Sequence, residues 1–163
     1  NKEKEINIIL EKLIEFLKYH IQYQKEAGAD VLQIFDSWAG LLHKEDLNNL
    51  CIEPNKELVE YCKKINIPVI CFPKGLDLNY KQFIKSVKPD GINIDYNVNP
   101  KWASENLTNI SIQGGLSPEL LLKDDKSIFN EVDKYLEIFT NNSYIFNLGH
   151  GILPKTNPET VKK

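Results

Sequence analysis

The sequence predicts an α/β fold built on a parallel sheet, and three observations carry that reading. Five short apolar stretches alternate with stretches of helical periodicity. That order makes parallel strands joined by helical crossovers. Each apolar stretch is close to continuously hydrophobic, as strands covered on both faces are. Polar or loop-forming residues follow nearly every one, at Asp36-Ser37, Pro73-Lys74-Gly75, Asp95-Tyr96, Gln113-Gly114-Gly115 and Gly149-His150-Gly151.

The elements follow in order. Ile6, Leu10, Leu13, Leu17 and Ile21 recur at helical spacing among Lys and Glu, and Gly28 is placed to end that helix. Val31–Phe35 reads as a strand, and Asp36-Ser37-Trp38-Ala39-Gly40 as the loop after it. Leu58, Cys62 and Ile65 form a second helix face, and Pro68–Phe72 a second strand. Tyr80, Phe83, Ile84 and Val87 mark a third helix, and Gly91–Asp95 a third strand, with a short helix around Trp102 after it. Asn109–Gln113 is the fourth strand. Ser117-Pro118-Glu119 is a strong helix start, with Ser as N-cap and Pro at the first helical position. Leu121, Ile128, Val132, Tyr135 and Phe139 lie along the helix or helices beyond it. Tyr144–Phe146 is the fifth strand, and Pro158 opens a last helix.

Two architectures satisfy this pattern: an open doubly wound sheet and a (β/α)8 barrel. A whole barrel typically needs ~250 residues. Five units in 163 residues make somewhat more than half of one, so length favours the open sheet. The five decorated strand ends favour the barrel, whose mouth gathers loops from all strands. Open sheets place ligands mostly at one switch point. Strand-to-helix turns also use Gly, Asp and Ser for their own sake.

The net charge of -3 speaks against a nucleic-acid partner. All 20 basic residues are Lys, so the usual bidentate partner of carboxylates and phosphates is missing. Cys51, Cys62 and Cys71 show no C-x-x-C spacing and fit structural thiols in a reducing compartment. No apolar run approaches ~18 residues, so no membrane-spanning helix is expected. The chain opens in a charged helical pattern, Asn1-Lys2-Glu3-Lys4-Glu5, without Met, and reads as an excerpt.

Ser37 and His150 stand out as site candidates. Both follow strands, the first and the last, and project from the same end of the sheet. Gly149 and Gly151 open backbone conformations that other residues resist, which leaves His150 on a tight turn with little bulk beside it. Histidine there can donate, accept or carry charge; it can also simply cap a loop. A Ser-His hydrolase lacks support, because no G-x-S-x-G elbow surrounds Ser37. Asp36 and Asp95 are either a pair of strand-end carboxylates or turn formers. Gln113-Gly114-Gly115 before Ser117 would suit a phosphate, though G-G before a helix is common. His20 and His43 lack partners at metal-ligand spacing.

Three segments together resemble the uroporphyrinogen decarboxylase family. They are Gln33-Ile34-Phe35-Asp36-Ser37-Trp38-Ala39-Gly40, Gln113-Gly114-Gly115-Leu116-Ser117-Pro118, with Gly115 where the family usually has Asn, and Phe146-Asn147-Leu148-Gly149-His150-Gly151-Ile152. Pro73-Lys74-Gly75 and Gly91–Asp95 also fall where the family has matching segments. The resemblance implies a single domain over 1–163 that forms the C-terminal portion of a (β/α)8 TIM barrel, with about five strand–helix units. It implies stepwise removal of four acetate carboxyls from uroporphyrinogen III, giving coproporphyrinogen III on the heme pathway, with no metal or organic cofactor. Ser37 and His150 carry over as substrate-contacting residues, His150 also as catalytic. A homodimer without nucleic-acid or membrane partners is implied, in the cytoplasm or alternatively a plastid.

The family's carboxylate-binding Arg residues, an Asp facing the pyrroles and a Tyr belong to its N-terminal half. The lack of Arg then reads as truncation, with a fragment inactive alone. Two rival readings remain. A corrinoid or coenzyme methyltransferase of the same barrel superfamily would hold zinc through a His-x-Cys pair, whose nearest counterpart, Val69-Ile70-Cys71, has no His. A non-catalytic half-barrel binding module would self-associate through its open sheet edge.

Overall fold

The computed structural model describes residues 2–162; Asn1 and Lys163, the two ends of the expected domain, lie outside the described residues. Five strands form one sheet: β1 (Leu32–Asp36), β2 (Val69–Pro73), β3 (Gly91–Ile94), β4 (Ser111–Gly114) and β5 (Tyr144–Ile145). All neighbouring pairs are parallel, and the spatial order is β1-β2-β3-β4-β5. This order decides between the two architectures. A doubly wound sheet reverses direction at a switch point. Here every crossover steps to the next neighbour on the same side, which is the winding of a barrel. The sheet is an α/β half-barrel with β1 and β5 as its free edges.

The middle strands are buried throughout: all five residues of β2 and all four of β3. Helices cover their outer side. α2 (Glu53–Lys64) contributes Leu58, Val59 and Cys62, and α3 (Tyr80–Val87) contributes Tyr80, Phe83 and Val87. Lys88, at φ 56, ends α3 in a left-handed turn. α4 (Pro100–Asn106) is capped by Asn99, whose side chain accepts from the Trp102 amide at 3.1 Å.

Two expectations need correction, for the first helix and for the helix start at Ser117. The first helix, α1 (Lys2–Glu26), buries Ile14 and Ile21 and half-buries Leu10 and Leu17, whereas Ile6 and Leu13 are 42% and 49% exposed. Apolar residues run on two faces of α1, and periodicity alone cannot say which one the sheet covers. The second helix starts well before its apolar face. A π-turn over Asn48–Ile52 runs directly into α2. Pro54 has no N–H to return to the preceding turn, which is wound wide. Finally, Ser117 does cap Glu119 at 3.3 Å, but only a 3₁₀ turn over Pro118–Leu122. α5 (Asp125–Ile138) has its own cap, Asp124, accepting from the Ser127 amide at 3.0 Å. A last short helix, α6, spans Pro158–Lys162. No helix among the described residues is long and apolar enough to cross a membrane.

Candidate active site

The loops after β1, β2 and β3 are built as one unit. The Lys74 amide donates to the Asp36 carbonyl at 3.1 Å, and the Gly40 amide donates back to the Lys74 carbonyl at 2.9 Å. The two chains then pass glycine against glycine. A Cβ on Gly40 would lie 2.5 Å from the Gly75 carbonyl oxygen, so a side chain there cannot be accommodated. Gly75 itself sits at φ +82, where glycine is the default residue. Its amide donates to the Asp95 carboxylate at 2.9 Å. Asp95 is fully buried and also accepts from the Tyr80 hydroxyl at 3.0 Å and the Asn97 amide at 2.9 Å. Burial and the Asp95 charge push the Tyr80 hydroxyl far above its ordinary pKa, so it stays a proton donor. Asp95 therefore clamps its own loop and the loop after β2 to α3, and the loop after β1 joins them through Lys74. Asp36, the other strand-end carboxylate, accepts from the Asn55 amide at 3.2 Å.

The histidine turn is docked onto this unit. Leu148 extends β5 by an isolated bridge to Leu116, and the Gly149 amide donates to the Leu116 carbonyl at 2.7 Å. A Cβ on Gly149 would lie 2.4 Å from the Tyr96 amide nitrogen. The reason for glycine here differs from the expected one. Neither Gly149 nor Gly151 has a positive φ. Gly149 is required by close approach, and Gly151 has open space around its Cα. The positive φ angles belong to Gly114 (+82) and Gly115 (+93). Their carbonyls accept from the hydroxyls of Tyr144 at 2.7 Å and Tyr135 at 2.8 Å. Burial pushes the Tyr135 hydroxyl up to about 12. A Cβ on Gly115 would lie 3.1 Å from both Ile94 Cδ1 and Tyr135 Cε1.

His150 lies on the Tyr96 ring at 6.5 Å between centroids and 16° between planes, and meets Phe72 edge-on at 6.4 Å. The Gly151 amide donates to His150 Nδ1 at 2.8 Å. Nδ1 is then an acceptor, and the neutral ring carries its proton on Nε2. Ser37 and His150 both line one cavity of about 680 Å³, at the carboxyl ends of the strands. Its walls are largely apolar, with Phe35, Phe72, Phe146 and Leu116 prominent. Gln33, Asn93 and Asn147 add neutral polar groups, and among the described residues no Lys, Asp or Glu lines it. The arrangement can bind a large, mostly apolar molecule and meet its polar groups with neutral hydrogen bonds.

Other candidates fall outside this cavity. His20 is exposed on α1, stacked on Phe16, and His43 is exposed in a turn. No group of three or more His, Cys, Asp or Glu among the described residues could hold a metal ion. The cysteines are buried: burial above all pushes Cys51 and Cys71 far up, and Cys62 up to about 11. Sequence reasoning missed Tyr96, Gln33 and Asn93 as site residues. The signal for Asn93 was present, since an amide in a strand that is otherwise apolar is out of place unless something uses it.

Comparison with known proteins agrees with this geometry. The family profile described as Uroporphyrinogen decarboxylase (URO-D) matches residues 1–163. The uroporphyrinogen decarboxylase of Rickettsia bellii is 40% identical over 159 residues, covering 96% of this chain and 46% of that protein. Those of Rickettsia africae and Orientia tsutsugamushi are 38% and 39% identical over 162 and 160 residues, covering 98% and 96% of this chain and 46% of each relative. The chain spans about half the length of the curated relatives it matches.

Proposed function

Because the chain belongs to the uroporphyrinogen decarboxylase family, we propose that it supplies the C-terminal half of an enzyme that decarboxylates the four acetate groups of uroporphyrinogen III, giving coproporphyrinogen III in heme biosynthesis. The observation that carries this reading is the meeting of Ser37 and His150 on one cavity, from the first and last strands of the half-barrel. That cavity has the size of a small-molecule site.

Each step turns a CH2–COO⁻ group into CH3, consuming one proton and releasing CO2. Protonation at a pyrrole ring carbon makes the ring an electron acceptor. Cleavage of the C–COO⁻ bond returns the electron pair to the ring. The exocyclic carbon then takes a proton as the ring carbon loses its own. No metal or organic cofactor is needed as electron sink. His150, with its proton on Nε2, donates to a carboxylate or on the pyrrole side, and Ser37 offers a hydroxyl to a carboxylate. A lining without Lys, Asp or Glu among the described residues leaves the charged partners of the substrate to residues outside this chain. The whole enzyme is a cytoplasmic homodimer, with a plastid as the alternative compartment. The zinc methyltransferase alternative is disfavoured, since Val69 stands where the His of a His-x-Cys pair would be, and Cys71 is fully buried.

The test is turnover of uroporphyrinogen by the purified 163-residue chain and by the full-length protein. The full-length protein is expected to be active and the chain alone inactive. Turnover by the chain alone at full-length levels overturns the half-site reading; an inactive full-length protein overturns the function.

A further inference from the structure

Three neutral amides stand side by side in the sheet interior below the rim held by Ser37 and His150. They are Gln33 on β1, Asn93 on β3 and Gln113 on β4; Asn93 is 3% exposed and Gln113 5%. Gly114 makes the room, since a Cβ there would lie 2.8 Å from Asn93 Nδ2. The polarity of the row is set from one end. Asn93 Nδ2 donates to the main-chain carbonyl of Ile94 at 3.0 Å, and a carbonyl can only accept. Asn93 Oδ1 therefore faces Gln113 and accepts from its Nε2 at 2.6 Å. The second proton of that Nε2 goes to Gln33 Oε1 at 3.0 Å. Reversing any one amide would set two acceptors or two donors face to face. The row ends at Gln33 Nε2, which carries two protons and finds no acceptor among the described residues. Gln33 lines the cavity.

We propose that Gln33 is a specificity-determining residue, whose amide N–H binds a carboxylate of the substrate. The inference rests on the function proposed above. In a cavity that no Lys, Asp or Glu among the described residues lines, recognition of a polycarboxylate by this chain falls to neutral donors. A free amide can turn either end toward a ligand. This one cannot, because a main-chain carbonyl fixes its direction through two intermediates. The donor is preorganised, so binding costs no reorientation. The carboxylate can be an acetate or a propionate, and the two have the same hydrogen-bond chemistry.

The experiment uses the full-length protein, with uroporphyrin as an unreactive octacarboxylate probe, coproporphyrin as a tetracarboxylate probe, and uroporphyrinogen turnover alongside. Gln33→Leu removes the donor and is expected to weaken uroporphyrin binding about tenfold. Gln33→Glu keeps an oxygen for Gln113, so the row stays satisfied, but presents an acceptor to the cavity. It is expected to weaken binding by about 100-fold, less at lower pH, where the introduced carboxylate takes a proton. KM should carry the loss, with kcat moving less than about threefold. An equal loss for coproporphyrin assigns the contact to a propionate, and a loss confined to uroporphyrin assigns it to an acetate. If both variants bind uroporphyrin as tightly as the wild type while the wild type turns over, the inference fails and the proposed function stands. If the wild type neither binds nor turns over, both fail.

Discussion

The inner and outer strands of this sheet do different work. β2 and β3 are buried at every position and packed beneath α2 and α3. β1 and β5 have one free edge each and show it: Phe35 is 66% exposed and Ile145 44%. Yet the two site candidates lie just beyond those edge strands, at Ser37 and His150. Burial is concentrated in the middle, and the candidate site residues lie at the margins. The margins are held in place by what the middle provides, namely Asp95 after β3 and Gly75 after β2.

The sharpest way to break this contrast is to truncate one aromatic ring in each region. Phe83→Ala empties a fully buried site and should cost about 3–5 kcal/mol by chemical denaturation, while Phe35→Ala should cost less than about 1 kcal/mol. Equal costs would mean that the edges are as load-carrying as the centre. A smaller effect on stability, with a larger one on the site, is expected from Gly149→Ala. The added methyl meets the Tyr96 backbone, so a loss of about 1–3 kcal/mol should accompany displacement of His150, read as lost uroporphyrin binding. Gly151→Ala meets nothing and should leave stability unchanged, which separates close approach from flexibility. The smallest effect concerns pH. Burial and the nearby Asp90 charge raise Cys62 from 9.0 to about 11, so the folded state holds this proton more tightly than the unfolded chain. Its contribution to stability is complete below pH 9.0 and is lost as pH rises toward about 11. Denaturation midpoints at pH 8, 9.5 and 11 check it; Cys62→Ala should lessen the alkaline decline without abolishing it, since Cys51 and Cys71 are raised further still and contribute with the same sign.

The same contrast explains what could be read from the residues alone. The buried strands and α3 are legible because continuous apolar runs and a single apolar face admit one reading. α1 carries apolar residues on two faces, and its buried one depends on which neighbour is present. Ser37 and His150 are legible because they sit inside contiguous motifs. Tyr96 beneath His150, the clamp at Asp95 and the amide row from Gln33 to Asn93 are products of contacts between segments far apart in the chain. Gly149 shows the limit most plainly: its identity is visible in the sequence, but its reason is a contact with another loop.

The glycine-to-glycine crossing of Gly40 on Gly75 bears on time as well as on shape. Two backbones in such contact, pinned by hydrogen bonds on both sides, cannot swing apart without breaking the Asp95 clamp as well. The loops after β1 and β2 are thus unsuited to act as a door. A ligand reaching these two loops meets a surface already in its final form. Rapid-mixing traces for variants of this rim should accordingly differ in the rate of release more than in the rate of capture.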